Sequence, residues 1–489
     1  MATCNVILCS HPIFPRAAVQ RCFALAVACL CARVTAVPIG SREREGAPAG
    51  WWTGRAAADG MHDGINADDP YLRALGTFFR RLAASKSFYH DLWEQQPRHW
   101  TSAEAAVPRP AFGYANITSA AASGMLGNSG DTYFTEQQGG QLCAATRDAT
   151  GRLRRAGHFK INTTLALSGV PMTRGVVDEH LDAGETLSIN KAGYVWPWVA
   201  DICRIAIGAL GLYANVNLYA TREGAEVAIP AHNDRQDVFI LQLQGHKRWV
   251  LYRPVDPLPT YEQERGKDHN GAMLMEELTD LYKTHDLLLS PGDVLYVPRG
   301  YVHETSTAAA SMGGWQAEAS RDVHSVALTL GIETATLSQT FENALTCLAA
   351  KTQWAPHVGL SEATTAVAAV RTATANVLAL RRALPFGFLS AYTSRKETTA
   401  LMRSLVKDAV EVEFQNFEER LGIRKSEYGK VLDYFVNASQ THLSESLSIY
   451  KGIATQDPAA ATDRQRQADA RFVQHSRNLL KPCGITLEG

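Results

Sequence analysis

Neither sign of charge dominates this chain: 48 Lys and Arg face 49 Asp and Glu, a net charge of -1 at pH 7. That balance excludes a chain-wide basic field for gripping nucleic acid, so no direct nucleic-acid binding is expected. Long apolar runs are missing too, and none approaches the roughly 18–20 residues a membrane-spanning helix requires. No cysteine pair has CxxC spacing. Of nine cysteines, five (Cys4, Cys9, Cys22, Cys29 and Cys31) crowd the N-terminus, while Cys143, Cys203, Cys347 and Cys483 lie far apart. Zinc-ribbon spacing is thereby excluded, and buried or free thiols are the simpler reading. No internal repeat is found. The remaining composition is ordinary: 46% hydrophobic and 20% charged residues, the proportions of a protein that buries conventional cores. Its 489 residues suggest about two to four domains.

Residues 1–45 are set apart from the fold. Cys22–Ala32 is an apolar stretch preceded by Arg16 and Arg21, with Val34 and Ala36 placed as at a cleavage site. This is the outline of a targeting signal, weakened by Arg33 and by the length of chain before it. Residues 46–69 read as a linker. Residues 70–210 form a helical and mixed region that supports the strands C-terminal to it. Within it, 71–97 carries helical spacing up to Pro97, and 196–212 reads as an amphipathic helix with a Gly-containing stop. Residues 211–334 change to short apolar strands punctuated by Gly and Pro, the texture of a barrel or jelly roll. Residues 335–452 are helical and compatible with dimerisation, and 453–489 form a polar tail.

The chemistry concentrates in two segments. In IPAHNDRQDVFILQLQGHKRWVLYRP, residues 229–254, His232 and Asp234 are two apart, so on extended chain both side chains point to one face. In PGDVLYVPRGYVHE, residues 291–304, two turns bracket a short strand and deliver His303. Two imidazoles and one carboxylate on one face leave positions of an octahedral ion open. This arrangement suits non-haem Fe(II); zinc with the same ligands would favour hydrolysis or a structural role.

Lys247 follows the turn Gln244-Gly245-His246, read as a hairpin between two strands, and shares a strand face with Trp249 and Leu251. A lysine on an inward face costs desolvation energy unless an anion meets it, the alternative being a side chain that snorkels to a barrel mouth. Asn217, Tyr219 and Thr221 alternate on the strand before the HxD segment and either face the same cavity or are ordinary strand residues. His246, His285 and His324 read as surface or satisfied core histidines, and Trp93 and Trp249 as core anchors.

These segments, in this order, resemble the JmjC/cupin 2-oxoglutarate oxygenases, specifically the ribosomal-oxygenase branch with its lysine-demethylase and histidyl-hydroxylase activities. FYHDLWEQQP (88–97) is similar to the branch's entry motif, and NLYAT (217–221) to its Asn-x-Tyr-x-Thr strand. HNDRQDVFILQLQGHKRWVLY (232–252) resembles the central hairpin and SPGDVLYVPRGYVHE (290–304) the closing motif. HSVALTLGIET (324–334) resembles the final barrel strand, and LRRALPFGFL (380–389) the segment after the helical region. Two departures stand out: Ala327 takes the place of a common family His, and residues 390–489 read as two helices and a tail rather than a winged helix.

The resemblance implies a double-stranded β-helix, or jelly-roll cupin barrel, with α-helical N-terminal elements and an α-helical C-terminal region. It implies Fe(II) on His232, Asp234 and His303, with 2-oxoglutarate and O₂ as co-substrates and Lys247 on the distal carboxylate. Asn217, Tyr219 and Thr221 would line the co-substrate pocket. The implied activity is hydroxylation of a protein side chain, a histidine for example, or demethylation of methyl-lysine. The implied partner is a protein substrate, ribosomal protein or histone, and the helices beyond the barrel point to a homodimer. The implied compartment is the nucleus, unless residues 1–36 direct the chain to the secretory pathway or an organelle. The alternatives are a cupin metalloprotein with non-oxygenase chemistry and a non-catalytic interaction protein.

Overall fold

The computed structural model describes residues 65–66, 68–126, 132–135, 145–147, 153–155, 172–259, 263–266, 282–308, 324–334, 340, 378–384, 386 and 425–455. The targeting segment, most of the linker and of 335–377, the insert 309–323 and the tail 456–489 lie outside the described residues.

Order begins at an N-cap. The Asp69 carboxylate accepts from the Tyr71 and Leu72 amides at 2.8 and 3.1 Å, and Pro70 occupies the first turn of α1 (Pro70–Ala84). Tyr71, Leu72, Leu75, Phe78, Phe79 and Leu82 are buried at three- and four-residue intervals, which makes one face of the helix apolar. The helical spacing read up to Pro97 is not one helix. Ser85 turns extended, its hydroxyl accepts from the Phe88 amide, and a separate π-helical turn comes next at Phe88–Leu92. The break lets Phe88 and Trp93 pack on Tyr296, which a straight helix would carry past.

The chain then runs through β1 (Arg98–Trp100), α2 (Ser102–Ala105), α3 (Tyr114–Ala122), β2 (Thr132–Thr135), β3 (Ala145–Arg147), β4 (Leu153–Arg155), α4 (Arg174–Asp182) and β5 (Thr186–Ile189). Next comes α5 (Pro197–Leu210), close to the span read from sequence. It starts on Pro197 and stops where Gly211 adopts φ 66° and donates to the Ile207 carbonyl. Eight strands complete the barrel: β6 (Ala214–Arg222), β7 (Ile229–His232), β8 (Asp237–Gln244), β9 (Lys247–Tyr252), β10 (Lys283–Leu289), β11 (Val294–Val297), β12 (Val302–Ser306) and β13 (His324–Ile332).

These strands are dealt alternately into two antiparallel sheets. The larger is ordered β1-β11-β8-β13-β6-β5-β2 and the smaller β10-β9-β12-β7, with β3 and β4 pairing apart. Of the eight barrel strands, only β9 and β10, at the middle of the run, are consecutive neighbours in one sheet. A long hairpin folded there and rolled up gives this order, which is the double-stranded β-helix. One sequence reading is corrected by it. Gln244-Gly245-His246 does not close a hairpin, because β8 pairs with β11 and β13 while β9 pairs with β10 and β12. The turn is a corner that carries the chain from one sheet to the other. Gly245 makes it possible with φ 61°, and a Cβ there would lie 2.5 Å from the His324 carbonyl oxygen.

Alternation along each strand divides the apolar residues between two cores. Val238, Ile240, Trp249, Leu251, Leu289, Leu295, Val297 and Ala327 pack between the sheets. Phe239, Leu241, Tyr296, Leu328 and Leu330 point the other way, into a core shared with α1 and α5. α6 (Lys425–Ala454) docks on the same helical layer. Tyr450, buried, stacks on Tyr194 with centroids 5.3 Å apart. The last turns of that helix are therefore used within the chain.

Gly245→Val should destabilise the protein by about 1–3 kcal/mol, since it combines positive φ with a backbone collision. A lowered denaturant midpoint in chemical unfolding, compared with Gly224→Val at an open positive-φ position, checks the collision term.

Candidate metal centre

β7 ends on His232, and β12 pairs with it antiparallel so that His303 stands opposite His232. The two rings lie 4.2 Å apart between centroids, and the residues are 5% and 3% exposed. Each imidazole Nδ1 faces the carbonyl oxygen two residues back: Pro230 at 2.8 Å for His232 and Tyr301 at 3.1 Å for His303. A carbonyl can only accept, so both Nδ1 atoms carry a proton, and Nε2 is in each ring the nitrogen free to offer a lone pair to an ion. Both Nε2 atoms turn towards Asp234. Its Oδ1 is 3.9 Å from His232 Nε2 and its Oδ2 is 3.5 Å from His303 Nε2. One ligand atom from each residue lies within 4.8 Å of the others. No second cluster of this kind occurs among the described residues.

The backbone around the triad is pinned. Asn233 exchanges hydrogen bonds with Arg265, donating its amide at 3.2 Å and accepting the Arg265 amide on Oδ1 at 2.6 Å. Gly266 comes next at φ 75°, where a Cβ would come within 2.3 Å of the Ala231 carbonyl oxygen. The Gly300 amide donates to the Asp234 carbonyl at 2.9 Å, which ties the turn before β12 to the HxD turn. The ligand set is thus held before any ion arrives, and two imidazoles with one carboxylate, leaving a face open, fit Fe(II) by donor chemistry.

Lys247 opens β9 on the interior face and is 2% exposed. Its Nζ lies 3.5 Å from the Thr221 hydroxyl and 5.8 Å from the Tyr219 ring centroid. No carboxylate among the described residues is within ion-pair distance of it, and burial alone lowers its pKa from 10.5 to about 7. Thr221 and Tyr219 therefore share its surroundings, and Thr221 also bonds the Thr186 hydroxyl at 3.0 Å. Asn217 is one step removed: its Oδ1 accepts from the Lys191 amide at 3.1 Å. His285 sits within β10, and His324 stacks on Tyr114 at 3.8 Å.

Sequence reasoning missed a buried ionic cage behind the triad. Arg299 Nη2 bonds Glu94 Oε1 and the Arg381 carbonyl, both at 2.5 Å, and its Nε is 3.6 Å from Asp237 Oδ2. Asp237 Oδ1 accepts from the Tyr296 hydroxyl at 2.7 Å and from the Arg299 amide at 3.3 Å. Glu94 also receives Arg382 and the Ala383 amide. Burial, then the Glu94 charge, pushes the Asp237 carboxyl up to about 7 against the pull of Arg299. The available signal was the charged residues embedded in otherwise apolar motifs, Glu94 after Trp93 and Arg299 between Pro298 and Gly300.

A jelly-roll barrel carrying two histidines and a carboxylate on facing strand ends is the class this fold and site define. Residues 198–320 match the family described as "JmjC domain". The chain is 41% identical over 97 residues to ribosomal oxygenase 2 of Rattus norvegicus, covering 20% of this chain and 18% of that protein. It is 38% identical over 114 residues to the bifunctional lysine-specific demethylase and histidyl-hydroxylase NO66 of Dictyostelium discoideum, covering 23% and 18% respectively. The chain thus spans under a fifth of the length of these relatives. Among solved structures, that of E. coli ycfD aligns over 72% of this chain and 70% of its own, at 14% identity and a TM-score of 0.32.

The lowered Lys247 pKa has a pH signature. The unfolded lysine holds its proton to about 10.5 and the folded one only to about 7, so the unfolded state binds more protons in between. Stability of the ligand-free protein should rise from pH 7 towards 10 through this group. Comparing denaturation midpoints of wild type and Lys247→Met across that range should show a shallower rise in the variant.

Proposed function

We propose that the chain is an Fe(II)- and 2-oxoglutarate-dependent dioxygenase that hydroxylates a protein side chain or demethylates methyl-lysine. The observation that carries this reading is the pairing of two features in one cavity: a preset His232/Asp234/His303 donor set and a buried cation, Lys247, with no carboxylate beside it among the described residues. Lys247 favours an oxygenase over a cupin with other metal chemistry, because a buried ammonium calls for an anion in the cavity.

In this reading His232 Nε2, Asp234 and His303 Nε2 hold Fe(II), which together with 2-oxoglutarate and O₂ supplies oxidative attack on a C–H bond, with succinate and CO₂ as co-products. The chain's own residues do the rest. Pro230 and Tyr301 carbonyls fix the imidazole tautomers, and Gly300 fixes the Asp234 turn. Lys247 meets the distal carboxylate, with Thr221 and Tyr219 beside it. Val238, Ile240, Leu251, Leu295 and Val297 keep the cavity floor dry. Asn217 acts from behind by holding the backbone at Lys191.

A protein substrate is supported by the relatives' names, ribosomal oxygenase and histidyl-hydroxylase, and we infer a ribosomal protein or histone on that basis. Residence in the nucleus and assembly as a homodimer, with the domain limits 70–210, 211–334 and 335–452, complete the proposal.

The test is anaerobic. Protein loaded with Fe(II) and titrated with 2-oxoglutarate should develop a visible charge-transfer band that His303→Ala abolishes without unfolding the barrel. Absence of the band despite bound iron would sink the oxygenase reading. Lys247→Ala should weaken 2-oxoglutarate binding by about 2–5 kcal/mol while metal binding persists; an unchanged co-substrate affinity would remove Lys247 from its role.

A further inference from the structure

Trp249 lies between Lys247 and Leu251 on the interior face of β9, and Thr305 of β12 stands directly opposite it. His303 occupies the neighbouring interior position of β12, opposite Leu251. The Trp249 and His303 rings stack with centroids 5.5 Å apart and planes 29° apart. Trp249 is 6% exposed and Thr305 2%, yet the indole Nε1 and the Thr305 hydroxyl have no hydrogen-bond partner among the described residues. A buried donor left unmade bears its full desolvation cost, and a buried indole N–H ordinarily finds a partner. A Phe and a Val would fill nearly the same volumes without that cost. Two such donors facing each other across adjacent strands therefore call for an acceptor from outside the polypeptide.

Their position indicates which acceptor. Strands advance about 3.3 Å per residue, so the Trp249–Thr305 level stands about 7 Å along from the His303–Leu251 level, on the way to Lys247. Any ligand that touches both the triad and the Lys247 ammonium passes over it. We propose that the Trp249 Nε1–H and the Thr305 hydroxyl are hydrogen-bond donors to the oxygens of the bound dicarboxylate, and so help select a co-substrate long enough to join the metal to Lys247. This rests on the oxygenase reading above and adds two binding residues to it. Trp249 would then serve twice, with its ring face against His303 and its N–H on the ligand.

Calorimetric titration of 2-oxoglutarate into the full chain loaded with Co(II), which does not turn over, tests this. Trp249→Phe keeps the ring stack and removes the N–H; Thr305→Val keeps the shape and removes the hydroxyl. Each should weaken 2-oxoglutarate binding about tenfold or more, with Co(II) affinity unchanged and the thermal midpoint of the ligand-free protein no lower than that of wild type. If both variants bind 2-oxoglutarate as tightly as wild type while Lys247→Ala does not, the donors hold only a buried water and the inference fails alone. If wild type binds Co(II) but no 2-oxoglutarate, the oxygenase reading fails and takes the inference with it. Should Trp249→Phe not fold, Thr305→Val decides by the same comparison.

Discussion

Arg299 and its two buried carboxylates hold this architecture in register. The guanidinium joins Glu94, from the turn after the π-helical segment, to Asp237 at the start of β8, and caps the carbonyl of Arg381, more than eighty residues further on. Burying that many charges is costly, and removing one partner from such a set typically costs about 3–5 kcal/mol. The return is specificity of place. Asp237 lies three residues after Asp234, and Arg299 directly precedes Gly300, whose amide holds the Asp234 backbone. The ion pair that joins Arg299 to Asp237 therefore also fixes the distance between the two turns that carry the triad.

This explains why motifs with no local connection occur together in one sequence. Trp-Glu at 93–94, the aspartate at 237, Tyr296 to Arg299 and the Arg-Arg-Ala run at 381–383 are far apart along the chain and meet at one locus. Trp93 stacks on Tyr296 at 5.5 Å, and Phe386 packs on Trp93 at 4.7 Å, so the charges sit under an aromatic lid that keeps water out. The cage lies on the outer face of the larger sheet, and the triad lies on the inner side. One layer of backbone separates a rigid ionic anchor from a cavity with open coordination positions.

Much of the barrel was legible because strand alternation is a short-range signal. Lys247 shares a face with Trp249 and Leu251 by the two-residue period, and the Gly211 stop of α5 follows from its left-handed geometry, whereas Asp234 lies past the end of β7 and meets His232 through the turn there. Pairing partners are a long-range property, and there the reading failed: a Gly-containing turn between two apolar strands looks like a hairpin whether its strands pair or part. Local spacing could not separate α1 from the π-helical turn either, because Phe88 and Trp93 continue the apolar rhythm while their packing on Tyr296 breaks the helix. The cage was invisible for the same reason. Glu94, Asp237, Arg299 and Arg382 each look like an ordinary solvated charge until the fold brings them together.

Charge neutrality ties the inner site to its proposed occupants. Imidazoles that ligate an ion through Nε2 are neutral and add no charge, so an Asp234 carboxylate beside a divalent ion would leave one positive charge in a low-dielectric cavity, and protonated Lys247 would add a second. A dianionic keto acid cancels both. Without the ion and the dianion, Lys247 is a cation with no counter-charge, and burial pulls its proton affinity down towards neutrality. In the proposed reading the lysine is unfavourable in the empty barrel and favourable in the filled one, which is how a binding site differs from a structural ion pair such as Arg299 with Glu94. The same distinction separates Trp249 and Thr305, with donors left unmade, from Tyr296, whose hydroxyl both donates to Asp237 and accepts the Glu94 amide within the protein itself.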